Sequence, residues 1–397
     1  MYSLSATLHQ RYRRRDVEEL PPHEGQRPPP AISPPSSRAG RSRHSELREP
    51  PQADEAMTHA PLLFSDAWHD PGSTEYSSTL LASLGTGTSP PIVYEARRVL
   101  ADVNLQLGIS PERRRVLLGQ PGTPSTDIVV RHTVQFVVRI LRVWPRMLAS
   151  YSTTDHLPPV IHTLQLADSV PVPLANCCTL VRMWADHSAQ GSRMLVRNTI
   201  VEEVRRLLRE HPSYTESDLV AAAQSLLLLL IILFFGIEPS PVLSHPLDAE
   251  LLVQVWDVKQ KLAVTGLFLE EEAEHRQPSS WYDWVMVSAK RRTVLGLNHL
   301  EWAWSITHGY PVLSCFELAP LPAPAARYLW YAADRPSWER LYREWLWKWK
   351  DGGPYKMAEF FGINPGGNLD LRSEMWLAEA DDFGMILMAE VNAIDDT

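Results

Sequence analysis

The run LLLLLIILFF at positions 226–235 places ten side chains in a row without a polar atom. It leaves a chain of this kind two structures: a segment that crosses a bilayer, or the buried centre of a helical domain. With its neighbours the run becomes LVAAAQSLLLLLIILFFGI, nineteen residues from Leu219 to Ile237 in which only Gln224 and Ser225 are polar. That is long enough for a span, and Arg205, Arg206 and Arg209 precede it while acids follow, as cytoplasmic flanks would. Three features oppose a span. Thr215 and Asp218 have the T-x-x-D spacing of a capped helix start, the uninterrupted apolar part is only ten residues, and amphipathic segments on both sides need an apolar surface to cover. The sequence therefore predicts a core helix.

The neighbouring segments are helical by their period. In VRNTIVEEVRRLLRE, Val196, Ile200, Val201, Val204, Leu207 and Leu208 recur at three- and four-residue steps, with Glu202 and Arg206 on the other face. HTVQFVVRILRVW, from His132 to Trp144, reads as a helix ended or kinked by Pro145, and DAELLVQVWDVKQKLAV as one preceded by Pro246. PSWERLYREWLWKWK carries Trp338, Leu341, Tyr342, Trp345, Leu346 and Trp349 on one stripe, with Ser337 as the expected cap and Gly352 and Gly353 as the stop. RSEMWLAEADDFGMILMAEVNAI reads as one last helix interrupted only by Gly384. No alternating strand pattern and no internal repeat occurs. The expected fold is all-α, a multi-helix domain over 91–397, preceded by a disordered Arg/Pro-rich tail over 1–60 and a linker over 61–90.

Charge and thiols narrow the function. The formal net charge is −9, yet the first fifty residues hold nine arginines and six acids, so the remainder stands near −12 and does not suit a nucleic-acid groove. Three cysteines, Cys177, Cys178 and Cys315, give no disulfide framework and fit a reducing compartment. No secretory signal is expected from MYSLSATLHQRYRRR, and no N-x-S/T acceptor occurs.

A search for chemistry yields little. Glu272 and His275 have E-x-x-H spacing, but a carboxylate di-iron site needs a second such pair, so a solvated acidic run is the expectation. His299 and His308 read as satisfied polar groups of a Trp-rich helix. Cys177 and Cys178 lack a basic cluster and read as buried small hydrophobes, no G-x-S-x-G elbow occurs, and GTGTS at Gly85 lacks the Lys of a phosphate loop. Of fourteen tryptophans, eight lie between Trp302 and Trp376, where helical spacing points to core. The basic arm Arg11, Arg13, Arg14 and Arg15 would serve nuclear targeting or touch phosphates without sequence preference. No catalytic residue, cofactor or metal site is expected.

Longer stretches are more specific. LPPVIHTLQL, PLANCCTLVRMW, RRTVLGLNHLEWAWSITHGYPVLSCFELAPLPAPAARYLW and RSEMWLAEADDFGMILMAEVNA together resemble the carboxyl-terminal regulatory region of fungal zinc-cluster transcription factors, above all those beside secondary-metabolite genes. The resemblance covers about residues 128–395. It implies a nuclear, all-helical regulatory domain that also keeps an apolar helix between amphipathic ones, without a membrane role. The chain departs from the family in one respect: that family's DNA-reading module holds two zinc ions with six thiolates, and three cysteines cannot build it. Two readings follow. The chain acts through other transcription regulators or the transcription machinery, as a homo- or heterodimer that touches DNA only indirectly or without sequence preference and has no membrane partner, or an upstream exon encodes the cluster. The alternatives from other classes are a helical enzyme acting on an apolar small molecule in a Trp-lined pocket, and a single-span membrane protein.

Overall fold

A computed structural model describes residues 107–154, 156–186, 190–236, 246–313, 316–391 and 393. The expected tail, linker, basic arm and first turns after Pro91 lie outside the described residues. Among the described residues the chain is all-α. Its helices are α1 (Pro111–Leu117), α2 (Ile128–Thr154), α3 (Val172–Asp186), α4 (Gln190–Glu210), α5 (Glu216–Ile231), α6 (Pro246–Val264) and α7 (Glu270–Ala273). They continue with α8 (Trp281–His308), α9 (Arg327–Trp330), α10 (Arg335–Lys348), α11 (Met357–Phe360), α12 (Leu371–Glu379) and α13 (Asp382–Val391).

The apolar run forms α5 and a π-helical turn after it, Ile232–Gly236. Thr215 caps α5 by accepting the Asp218 amide at 3.3 Å, and Glu216 and Asp218 oppose the positive end of the helix dipole. Helices α2, α3, α4, α6 and α8 all pack on α5, and every side chain from Leu219 to Ile232 is fully enclosed. Each such leucine contributes roughly 2 kcal/mol of transfer free energy. The segment Glu216–Gly236 is long and apolar enough to cross a membrane, and 89% of its most apolar window is covered by protein. Its two polar side chains are both satisfied. Gln224 donates to the Val160 carbonyl at 2.7 Å and forms a reciprocal amide pair with Gln165, while Ser225 donates to the Ala221 carbonyl at 2.7 Å.

Three local expectations are corrected. Of the two outcomes expected at Pro145, an end to the helix is ruled out: α2 runs on to Thr154, with Leu141, Trp144 and Leu148 buried on either side of the proline where one backbone hydrogen bond is missing. Helix α10 is capped by Asp334, not Ser337: the Ser337 amide donates to Asp334 Oδ1 at 2.8 Å. Pro336 belongs in the first turn of a helix, which moves the cap to its amino-terminal side. The expected last helix is two, α12 and α13, broken at Ala380, whose ψ of 149° is extended. Gly384 lies inside α13 rather than at the break; a Cβ there would stand 3.1 Å from the Trp376 ring and 3.0 Å from Ala380 Cβ, so glycine lets the two helices approach.

Most of the carboxyl-terminal tryptophans are core, as their spacing predicts. Trp304, Trp330, Trp338, Trp349 and Trp376 are buried, Trp302 and Trp345 are half-buried, and Trp347 is 73% exposed. Trp284, Leu329, Trp338 and Tyr342 form a second, smaller cluster where α10 crosses the start of α8.

Candidate functional site

Lys290, Arg291 and Arg292 are three successive cations in the middle of α8, and all three are buried. Successive helical residues point about 100° apart, so each reaches a different part of the fold. Lys290 donates to the Thr265 and Gly266 carbonyls at 2.9 and 3.1 Å and pairs with Glu216 at 2.6 Å. Arg291 donates to the Leu267 carbonyl at 2.6 Å and to Glu272 at 2.5 Å. Arg292 donates to Asp381 at 2.7 Å and to the Pro159 carbonyl at 3.2 Å, with its guanidinium 4.4 Å from the Trp330 ring centre. One helix thus ties the start of α5, the α6–α7 loop, the Pro159 loop and α13 together. Burying charge is tolerable only with such pairing, and Arg292 is the least satisfied of the three: its Nη2 is buried without a hydrogen-bond partner.

Arg292 sits where three distant stretches meet. His162 Nε2 donates to the Trp330 carbonyl at 2.9 Å, and its Nδ1 accepts the Leu164 amide at 3.1 Å. Burial, outweighing the Trp330 hydrogen bond, pushes the His162 pKa down to about 4, and Arg292 adds to the depression. Asp381 accepts the Gly384 amide at 3.0 Å through its other oxygen, so it caps α13 while it holds Arg292. His162, Arg292, Trp330 and Asp381 belong to three of the four resembling stretches: His162 to LPPVIHTLQL, Arg292 and Trp330 to the run from Arg291 to Trp330, and Asp381 to RSEMWLAEADDFGMILMAEVNA.

Beside this junction is a cavity walled by Trp284, Tyr342, Trp345, Trp349 and Trp376, with Arg291–Glu272 on one side and Glu379 on another. Glu379 accepts from Tyr328 Oη at 2.9 Å, Lys348 Nζ at 2.5 Å and Trp349 Nε1 at 3.1 Å. The Tyr342 hydroxyl is buried without a hydrogen-bond partner, and burial, reinforced by Glu272, holds its pKa well above the usual phenol range. The space left has room for a few water molecules. The arrangement can hydrate Tyr342; it sets up no nucleophile with an adjacent base.

The residues weighed from sequence fall as follows. Arg11, Arg13, Arg14 and Arg15, together with GTGTS and Cys315, lie outside the described residues. Glu272 and His275 do not converge: Glu272 serves Arg291, and His275, at a φ of 56°, donates from Nε2 to the Leu346 carbonyl at 3.2 Å. His299 meets Glu390 at 2.7 Å, and His308 meets the Trp304 carbonyl at 2.8 Å. Among the described residues no three His, Cys, Asp or Glu side chains come together as metal ligands. Cys177 is buried, which pushes its thiol pKa far up, and packs as a small apolar group. The Lys290–Arg292 triplet was the signal that pattern reading passed over, because a polar interruption of an apolar helix looks like a solvated face. Comparison with protein-family models, with curated proteins and with solved structures finds no match to this chain.

Proposed function

We propose that this chain is a fungal transcription regulator, serving a secondary-metabolite gene cluster from the nucleus, and that it works by protein association through its helical domain. The observation that carries the reading is the convergence at Arg292. Stretches that resemble the zinc-cluster regulatory region lie 133 and 89 residues from Arg292 along the chain, yet they share its hydrogen bonds. With three cysteines where the zinc cluster needs six thiolates, the chain as given reaches DNA through other proteins.

The test is deletion of the gene under producing conditions, reading the transcripts of neighbouring biosynthetic genes. Altered transcripts are expected, and unchanged ones overturn the reading. Fusing the chain to a heterologous DNA-binding domain beside a reporter then gives the sign of control.

A further inference from the structure

Helix α2 has a second apolar line that its own fold leaves uncovered. Val134, Val137, Leu141, Trp144 and Leu148 face the core, none more than 7% exposed. Around the helix from them run Val129, Phe136 and Val143, at 54%, 48% and 50% exposure, with half-buried Thr133, Ile140 and Met147 between them. The alternating four- and three-residue steps from Val129 to Met147 make a heptad seam about 27 Å long. Beyond the seam the helix is basic: Arg131, Arg139, Arg142 and Arg146 are exposed, and no Asp or Glu occurs from Ile128 to Thr154. Among the described residues Arg131, Arg139 and Arg142 have no ion-pair partner, while Arg146 lies over the Trp184 ring. Helix α2 thus carries four arginines and no carboxylate in a chain of net charge −9.

We infer that α2 docks an acidic amphipathic helix of a partner protein, whose apolar stripe seats on Val129, Phe136 and Val143 and whose Asp and Glu border faces the arginines. Two other occupants fit less well. A second α2 would set arginines against arginines along the seam. An anionic bilayer favours a broad apolar face bordered by cations on both sides, whereas this seam is one residue wide and bounded on one side by the protein's own core. The inference supplies the partner chemistry for the association reading on which it rests. Binding by purified protein and transcript levels in cells are separate measurements, so either can fail alone.

The test uses the full purified chain and two fluorescein-labelled helical peptides of three heptads, with Leu at the a and d positions and either Glu or Lys at e and g. Anisotropy should show the Glu peptide bound and the Lys peptide at least about tenfold weaker, with Glu-peptide affinity falling as salt rises. Phe136→Glu with Val143→Glu, both at exposed positions, should abolish binding while the circular-dichroism spectrum stays unchanged. Arg139→Glu with Arg142→Glu should exchange the peptide preference, which keeps the inference testable if the first variant misfolds. Equal binding of the two peptides, Glu-peptide binding that survives the Phe136 and Val143 substitutions, or a peptide preference unchanged by the Arg139 and Arg142 substitutions overturns it. So does tighter binding to phosphatidylserine vesicles than to the Glu peptide, or a wild-type dimer that the Phe136 and Val143 substitutions dissociate.

Discussion

Arg292 and Asp381, 89 residues apart in sequence, meet at 2.7 Å with side chains only 2% and 4% exposed. Removing one partner leaves a buried charge unanswered. Asp381→Ala should lower unfolding stability by about 3–5 kcal/mol, and Arg292→Met combined with Asp381→Leu should recover most of it. Urea denaturation midpoints of the two variants measure this. An Asp381→Ala protein as stable as the wild type would remove the junction from any structural account.

His162 should make the fold acid-sensitive above the carboxylate range. Its folded pKa, about 4, lies below the ordinary 6.5, so between these values the unfolded chain binds the extra proton. This contribution is fully present above pH 6.5 and is lost as pH falls toward 4, by about 3 kcal/mol in total. Protonating Nδ1 also breaks the Leu164 hydrogen bond. Stability measured against pH should therefore fall less steeply from 6.5 to 4 in His162→Gln than in the wild type. Parallel curves would mean that the imidazole is not held neutral.

Gly309 ends α8 in the left-handed region, at a φ of 73°. It accepts the Gly122 amide at 2.8 Å, and a Cβ there would lie 2.6 Å from the Gly122 carbonyl oxygen. Gly309→Ala should cost about 2 kcal/mol, combining left-handed strain with that clash. The Gly122 amide should also exchange faster with solvent. Differential scanning calorimetry and hydrogen exchange test the two effects separately.

Leu228, at the centre of α5, is wholly enclosed, whereas Met183 on α3 is 42% exposed. Leu228→Ala should destabilise by about 3 kcal/mol, from lost transfer energy and the cavity left behind. Met183→Ala should change stability by under about 0.5 kcal/mol. Equal small effects in detergent-free buffer would contradict the enclosure of α5.

What was readable in advance is what a residue shares with neighbours one turn away. The burial of Val196, Ile200, Val204 and Leu207 follows their spacing, and Thr215 caps α5 where T-x-x-D places it. The start of α10 is ambiguous in sequence because Asp334 and Ser337 are both good caps and only the position of Pro336 separates them. The candidate site was less legible. Lys290, Arg291 and Arg292 look like a solvated patch until their acceptors arrive from α5, α7 and α13.

By itself the sequence determined that the chain is helical and that its most apolar segment needs an enclosing layer, because both follow from side-chain period and transfer free energy along a local stretch. Only the tertiary structure decided where Arg292 finds its carboxylate, why the last helix breaks at Ala380, and which line of α2 stays open. Those outcomes depend on which distant segments come within hydrogen-bonding range once the backbone closes on itself. Local pattern carries no record of that distance.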